Sequence, residues 1–181
     1  IAAHALKVCF NSKIPGHWLE ELEEVDQRIS SYMDELESAA ILLSKYGIPL
    51  VALKNSGITL GIYPHYGACP MGDIDVMVRK SDFRKAHEVL LEKGYKMKFR
   101  SPLEEDNIDK AEQGGGAEYS VILPNGQNLW FELQWRPVAG RWIRPDQEPS
   151  GNKLMDRSIE IKGSSVRLLA PEDNLLQVCL H

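Results

Sequence analysis

The chain has 181 residues, 43% of them hydrophobic and 26% charged, with 14 Gly and 10 Pro. That composition excludes a disordered or fibrous protein and is enough for one domain with a true core. A net charge of -5 disfavours a general nucleic-acid binder, and no run approaches the roughly 18 apolar residues of a membrane span.

Cys9, Cys69 and Cys179 have neither C-x-x-C spacing nor a neighbouring His cluster, so free thiols in a reducing cytoplasm are expected. The opening IAAHALKVCF has no charged leader and no initiator Met, and PEDNLLQVCLH stops within a helical pattern. Both ends suggest a piece of a longer protein. Residues 1–47 are expected to form a helical segment packed on a core domain of residues 48–181.

From Trp18 to Lys45, apolar residues recur every three or four positions at Leu19, Leu22, Val25, Ile29, Met33, Leu36, Ala40 and Leu43, predicting an amphipathic helix that ends at Gly47. Leu50 to Leu53 then form a short buried strand running into a polar turn at Asn55-Ser56-Gly57. GITLGIYPHYGACP has room for a short helix and a loop around Pro64 and Gly67, and GDIDVMV is a strand. SDFRKAHEVLLEKGY is a helix with Ser81 as N-cap and Gly94 just past its end. His87 lies on it with no second ligand one turn away, so a helix-surface or core-edge role is expected.

SPLEEDNIDKAEQGGGAE is polar and Gly-rich and predicts a mobile loop. Gly114 to Gly116 lack the strand-to-helix context of a phosphate-binding loop. EYSVILPNGQNLWFELQW is a hairpin turning at Pro124-Asn125-Gly126, and SIEIKGSSVRLL is a second one turning near Lys162-Gly163-Ser164. An irregular stretch holding Trp142 joins them, and APEDNLLQVCLH opens a final helix at Pro171. The order of elements points to an α/β or α+β domain with a mixed β-sheet flanked by helices.

The chemistry concentrates in two strands. Alternation puts Asp73 and Asp75 on one face of theirs and Ile74, Val76 and Val78 on the other. Two carboxylates about 6–7 Å apart along a strand call for a counter-charge, and Mg²⁺ with oxygen ligands supplies one. Glu132 in NLWFELQW shares a face with Trp130 and Gln134, opposite Phe131, Leu133 and Trp135. Its partner is either a buried arginine, Arg136 or Arg79, or the same metal site. Three carboxylates with two hard cations suit in-line phosphoryl or nucleotidyl transfer. Lys54 and Ser56, after a strand, stand where a triphosphate would be held.

The run VALKNSG, a Tyr at 63 or 66, PMGDIDVMV, a helix closing on Gly94-Tyr95, FELQW and LLAPEDNLL resembles the bacterial nucleotidyltransferase-like proteins of the DNA polymerase β superfamily, over residues 48 to 181. The resemblance implies a nucleotidyltransferase-like mixed sheet flanked by helices and a Mg²⁺-dependent enzyme with two ions, or Mn²⁺ in their place. Its reaction moves a nucleoside monophosphate from an NTP, ATP favoured, to an acceptor hydroxyl with release of pyrophosphate. Asp73, Asp75 and Glu132 become the catalytic and metal-binding residues, Glu132 on the acceptor side. Lys54, Asn55, Ser56 and Gly72 become the nucleotide and phosphate contacts. The family pattern has Gly where this chain has Asn55, Arg at Cys69 and His at Gln134.

A non-catalytic module that binds a nucleotide or a protein partner is the alternative. A glycosyltransferase using D-x-D with Mn²⁺ ranks behind both, because such domains are longer and more plainly βαβ at the start. Trp130, Trp135 and Trp142 are candidates for base stacking, with core or rim packing the commoner use of such rings. Tyr63, His65 and Tyr66 lie in the loop before the aspartates.

Overall fold

The computed structural model describes residues 14–63, 65–138, 143–144 and 146–180. The opening segment with Cys9, and Trp142, lie outside them.

Helix α1 spans Gly16–Ser44 and buries Leu22, Ile29, Tyr32, Met33, Leu36, Ala39, Ala40 and Leu43, the stripe that the three-and-four spacing demands. Then come β1 (Leu50–Ala52), α2 (Lys54–Gly61), β2 (Asp73–Met77), α3 (Phe83–Glu92), β3 (Lys96–Met97) and α4 (Ile108–Gly114). The chain continues through β4 (Gly116–Ile122), β5 (Asn128–Gln134), α5 (Gly151–Arg157), β6 (Ile159–Glu160), β7 (Val166–Leu168) and α6 (Pro171–Leu180). No helix among the described residues is long and apolar enough to cross a membrane.

The seven strands form one sheet in the order β3-β4-β5-β2-β1-β7-β6. β2 is parallel to β5 and β1 to β7, while the other neighbours are antiparallel, so the sheet is mixed as expected.

Each strand divides its side chains between two different environments. Leu50, Ala52, Ile74, Val76, Val78, Ala117, Tyr119, Leu129, Phe131 and Leu133 meet α1 and the Phe83, Ala86, Val89 and Leu90 face of α3 in the main core. Val51, Leu53 and Met77 pack instead with Leu154, Met155 and Leu169 in a smaller cluster at one end of the opposite face. The rest of that opposite face holds the acids.

Four local expectations are corrected. Asn55-Ser56-Gly57 is not a turn but the first half of α2, which starts directly after the extended residue Leu53. Gly57 permits it, because a Cβ there would meet the Ala52 carbonyl oxygen at 2.9 Å. The expected loop before β4 contains α4, whose N-terminus is capped by Asn107 Oδ1 accepting from the N–H groups of Asp109 and Lys110. Gly115 ends that helix at φ +106°. Helix α5 was not foreseen, since a seven-residue helix burying only Leu154 and Met155 leaves almost no periodic signal. Ser81 is not the N-cap of α3: it sits in a short 3₁₀ turn, Lys80–Asp82, where its hydroxyl donates to Asp82 Oδ1.

Replacing Gly57 by Ala forces α2 away from β1, an overpacking against backbone that costs about 1–3 kcal/mol. Urea unfolding of Gly57→Ala should show a lower midpoint with an unchanged slope, and an unchanged midpoint would refute the close contact.

Candidate active site

β2 and β5 run side by side in parallel, with Asp73 opposite Trp130, Asp75 opposite Glu132 and Met77 opposite Gln134. Opposed residues share a face, so Glu132 stands beside Asp75 with Asp73 one pleat away. The β4–β5 hairpin adds Glu118, which pairs with Glu132. Glu118 was missed from the sequence, although a signal existed: Ala117 and Tyr119 are core residues, so Glu118 faces away from the core, and the turn at Pro124-Asn125-Gly126 dictates its register.

Two cations lie among these four carboxylates. Lys54 Nζ is 2.6 Å from Asp75 Oδ1 and 3.6 Å from Glu132 Oε2. Arg100 Nη1 is 2.5 Å from Asp73 Oδ2, and its Nε is 3.1 Å from Glu118 Oε2. The Arg100 guanidinium also lies 5.6 Å from the centre of the Trp130 ring. Arg100 was not foreseen, because nothing in its local sequence ties it to β2. The arginines proposed for Glu132 pair elsewhere, Arg79 with Asp156 and Arg136 with Glu148.

Lys54 is held by its backbone. It is the one non-glycine residue with positive φ among the described residues, at 48°, and its N–H donates to Gln177 Oε1 at 3.1 Å. Gln177, on α6, in turn donates to the Pro137 carbonyl at 3.0 Å. Ser56 is fully buried, and its hydroxyl accepts the Asp75 N–H at 3.1 Å. That hydroxyl therefore supports the aspartate strand and is not presented to a phosphate. Asn55 and Gly72 are exposed beside the site.

Gln134 is fully buried; its amide nitrogen is 3.5 Å from Asp75 Oδ1, and its Oε1 has no partner among the described residues. Cys69, where the resemblance places an arginine, is a buried free thiol, and Cys179 is an exposed one. Of the loop residues before β2, Tyr63 is exposed and His65 faces Asp26 of α1, with Nδ1 at 3.3 Å from Oδ1. The Trp135 indole N–H donates to the Glu112 carbonyl at 2.8 Å, and Lys80 lies over its ring. His87 contacts the Tyr119 hydroxyl at 2.8 Å, at the core edge as expected.

Charge is unevenly balanced here. Among the described residues the cations that pair with Asp73, Asp75, Glu118 and Glu132 are Lys54 and Arg100. Burial, then the hydrogen bond and charge of Asp75, push the Glu132 carboxyl up to about 8 against the opposing pull of Lys54. Burial works to lower the Lys54 ammonium, but Asp75 and Glu132 outweigh it and hold the group above its ordinary value. Glu118 and Asp73 likewise outweigh burial and raise the Arg100 guanidinium.

Among the described residues no group of three or more His, Cys, Asp or Glu is gathered tightly enough to hold a metal ion. Asp73 is engaged by Arg100, apart from the Asp75–Glu132 pair at Lys54. The donor chemistry, oxygen-only and in anionic excess, nonetheless suits a hard divalent cation. Beside Glu132 and Glu118 lies a cavity of about 280 Å³, walled by Phe99, Leu103 and Ala111.

The folded state keeps a proton on Glu132 that the unfolded chain releases near pH 4.5. Its contribution to stability is therefore complete below that pH and is lost as pH rises to about 8. Glu132→Gln should remove a slope of up to about 1.4 kcal/mol per pH unit from that window. Urea unfolding at several pH values measures it, and parallel profiles for the two proteins would contradict the shifted carboxyl.

A family model described as "Uncharacterised nucleotidyltransferase" matches residues 1–181. No curated protein matches the chain. Among solved structures, the crystal structure of a "putative nucleotidyltransferase" from Thermotoga maritima is similar, with a TM-score of 0.51 and 13% identity, covering 82% of this chain and 83% of the other. At that identity the likeness shows the fold alone, and it agrees with the mixed sheet and flanking helices described above. With the family match extending over its whole length, the chain belongs to the uncharacterised nucleotidyltransferase family.

Proposed function

We propose that the chain transfers a nucleoside monophosphate from an NTP, ATP first among them, to an acceptor hydroxyl and releases pyrophosphate. The observation that carries this reading is the register of β2 with β5, which sets Glu132 beside Asp75 and within one pleat of Asp73. Asp73, Asp75 and Glu132 would hold Mg²⁺, two ions or Mn²⁺ in their place. When bound, the metal polarises the phosphoryl oxygens and neutralises the leaving group.

The acceptor oxygen forms a bond to the α-phosphorus while the bond from that phosphorus to the bridging oxygen breaks, and the electron pair leaves with pyrophosphate. Glu132 receives the acceptor's proton. Lys54, fixed by Gln177 and kept protonated by Asp75, supplies a positive charge on the β1 side of the aspartates. Asn55 and Gly72 are exposed beside them, where a phosphate would lie, and Ser56 positions Asp75 from behind. The cavity on the β4 side of Glu132 gives the acceptor a separate approach.

A binding module without catalysis is the second reading. It is favoured by Cys69 and Gln134, which leave the site without the arginine and histidine of the family pattern.

Mg²⁺ with ATP should raise the Tm of the protein where ATP with EDTA does not, corresponding to about 2.7 kcal/mol at a hundredfold excess over Kd. Asp75→Asn should lose that response. In a protein-free metabolite extract, α-labelled ATP should give a labelled acceptor product, whereas the label of γ-labelled ATP should appear in pyrophosphate and not on the acceptor. A stabilised protein that forms no product would favour the binding module, and no response to nucleotide would sink both readings.

A further inference from the structure

Asp73 and Asp75 share one face of β2 but answer to different cations. Asp75 is buried and held by Lys54, whose own backbone is fixed by Gln177. Asp73 is half-buried and held by Arg100, whose side chain is 39% exposed and comes from the irregular segment between β3 and α4. One guanidinium thus bridges β2 and β4 across β5, with Nη1 on Asp73 and with Nε and Nη2 on Glu118.

A carboxylate oxygen that accepts a bond from a guanidinium cannot also ligate a metal at the same lone pairs, and two cations at one carboxylate repel. Of the two basic residues, Lys54 is the more enclosed and Arg100 the more exposed, so Arg100 is the one free to leave.

We infer that Arg100 and a divalent cation are alternative partners of Asp73, so that loading the site requires the guanidinium to let go. The inference rests on the carboxylate site proposed above. Phe99 and Leu103, on the segment that carries Arg100, wall the cavity against Glu118 and Glu132. Exchange of Arg100 for the ion removes one of the ties between that wall and β2, leaving the bonds of Arg100 to Glu118.

The test is titration with Mn²⁺ alone, followed by the electron paramagnetic resonance of the free ion, on the full chain and its variants. Arg100→Gln should bind Mn²⁺ at least tenfold more tightly than the parent. Arg100→Lys, which keeps the charge but not the two-pronged geometry, should fall between them. Lys85→Gln removes an equal charge from the exposed face of α3 and should leave the affinity unchanged, which separates local competition from net charge. Unchanged or weaker binding in Arg100→Gln, or an equal gain in Lys85→Gln, overturns the inference. Asp75→Asn distinguishes the two levels: if it fails to weaken Mn²⁺ binding, the carboxylate site itself is wrong. If it does weaken binding while Arg100→Gln changes nothing, only the exchange fails.

Discussion

The parallel pairing of β2 with β5 forces two acids, the buried Asp75 and the half-buried Glu132, into direct opposition. Like charges in a partly dry place repel, so the fold must supply cations, keep a proton, or do both. It does both. Lys54 is brought in from the start of α2, Arg100 from beyond β3, and Glu132 holds its proton up to about pH 8. An apolar pair at these two positions would pack with less penalty. The arrangement is therefore poor as a stabilising device and well suited to binding positive charge.

Much of the surrounding structure supports this one contact. The backbone of Lys54 is held at positive φ, a conformation that costs about 1–3 kcal/mol for a residue with a side chain. Gln177, more than a hundred residues away on α6, offsets part of that by accepting the Lys54 N–H. Ser56 holds the Asp75 N–H, while the Asp75 carbonyl accepts from Leu53, so β1, α2 and β2 enter the site as one unit. The main core lies on the other face of the sheet, which leaves room above the acids.

Particular residues show how far the sequence could be read. Asp73 and Asp75 were legible as same-facing from alternation alone, because the side-chain period of a strand is 2. Both hairpins were legible from their turn residues, and the first of them also implied the Glu118–Glu132 pair. Helices α4 and α5 were not, being too short for a periodic stripe. Ser56 was expected at a phosphate but faces inward, because α2 begins one residue after the strand and turns that hydroxyl toward β2.

By itself, the sequence determined which acids share a face, where the chain reverses in its hairpins, and that the sheet would be mixed and flanked by helices. Those properties follow from periods and turns that act over a few residues. Only the tertiary structure decided that Glu132 lies against Asp75, that Lys54 and Arg100 balance the acids, and that Gln177 fixes Lys54. The reason lies in chain separation. β2 and β5 are parallel and joined by a long crossover, so their register comes from packing of the whole sheet, and no local motif records it.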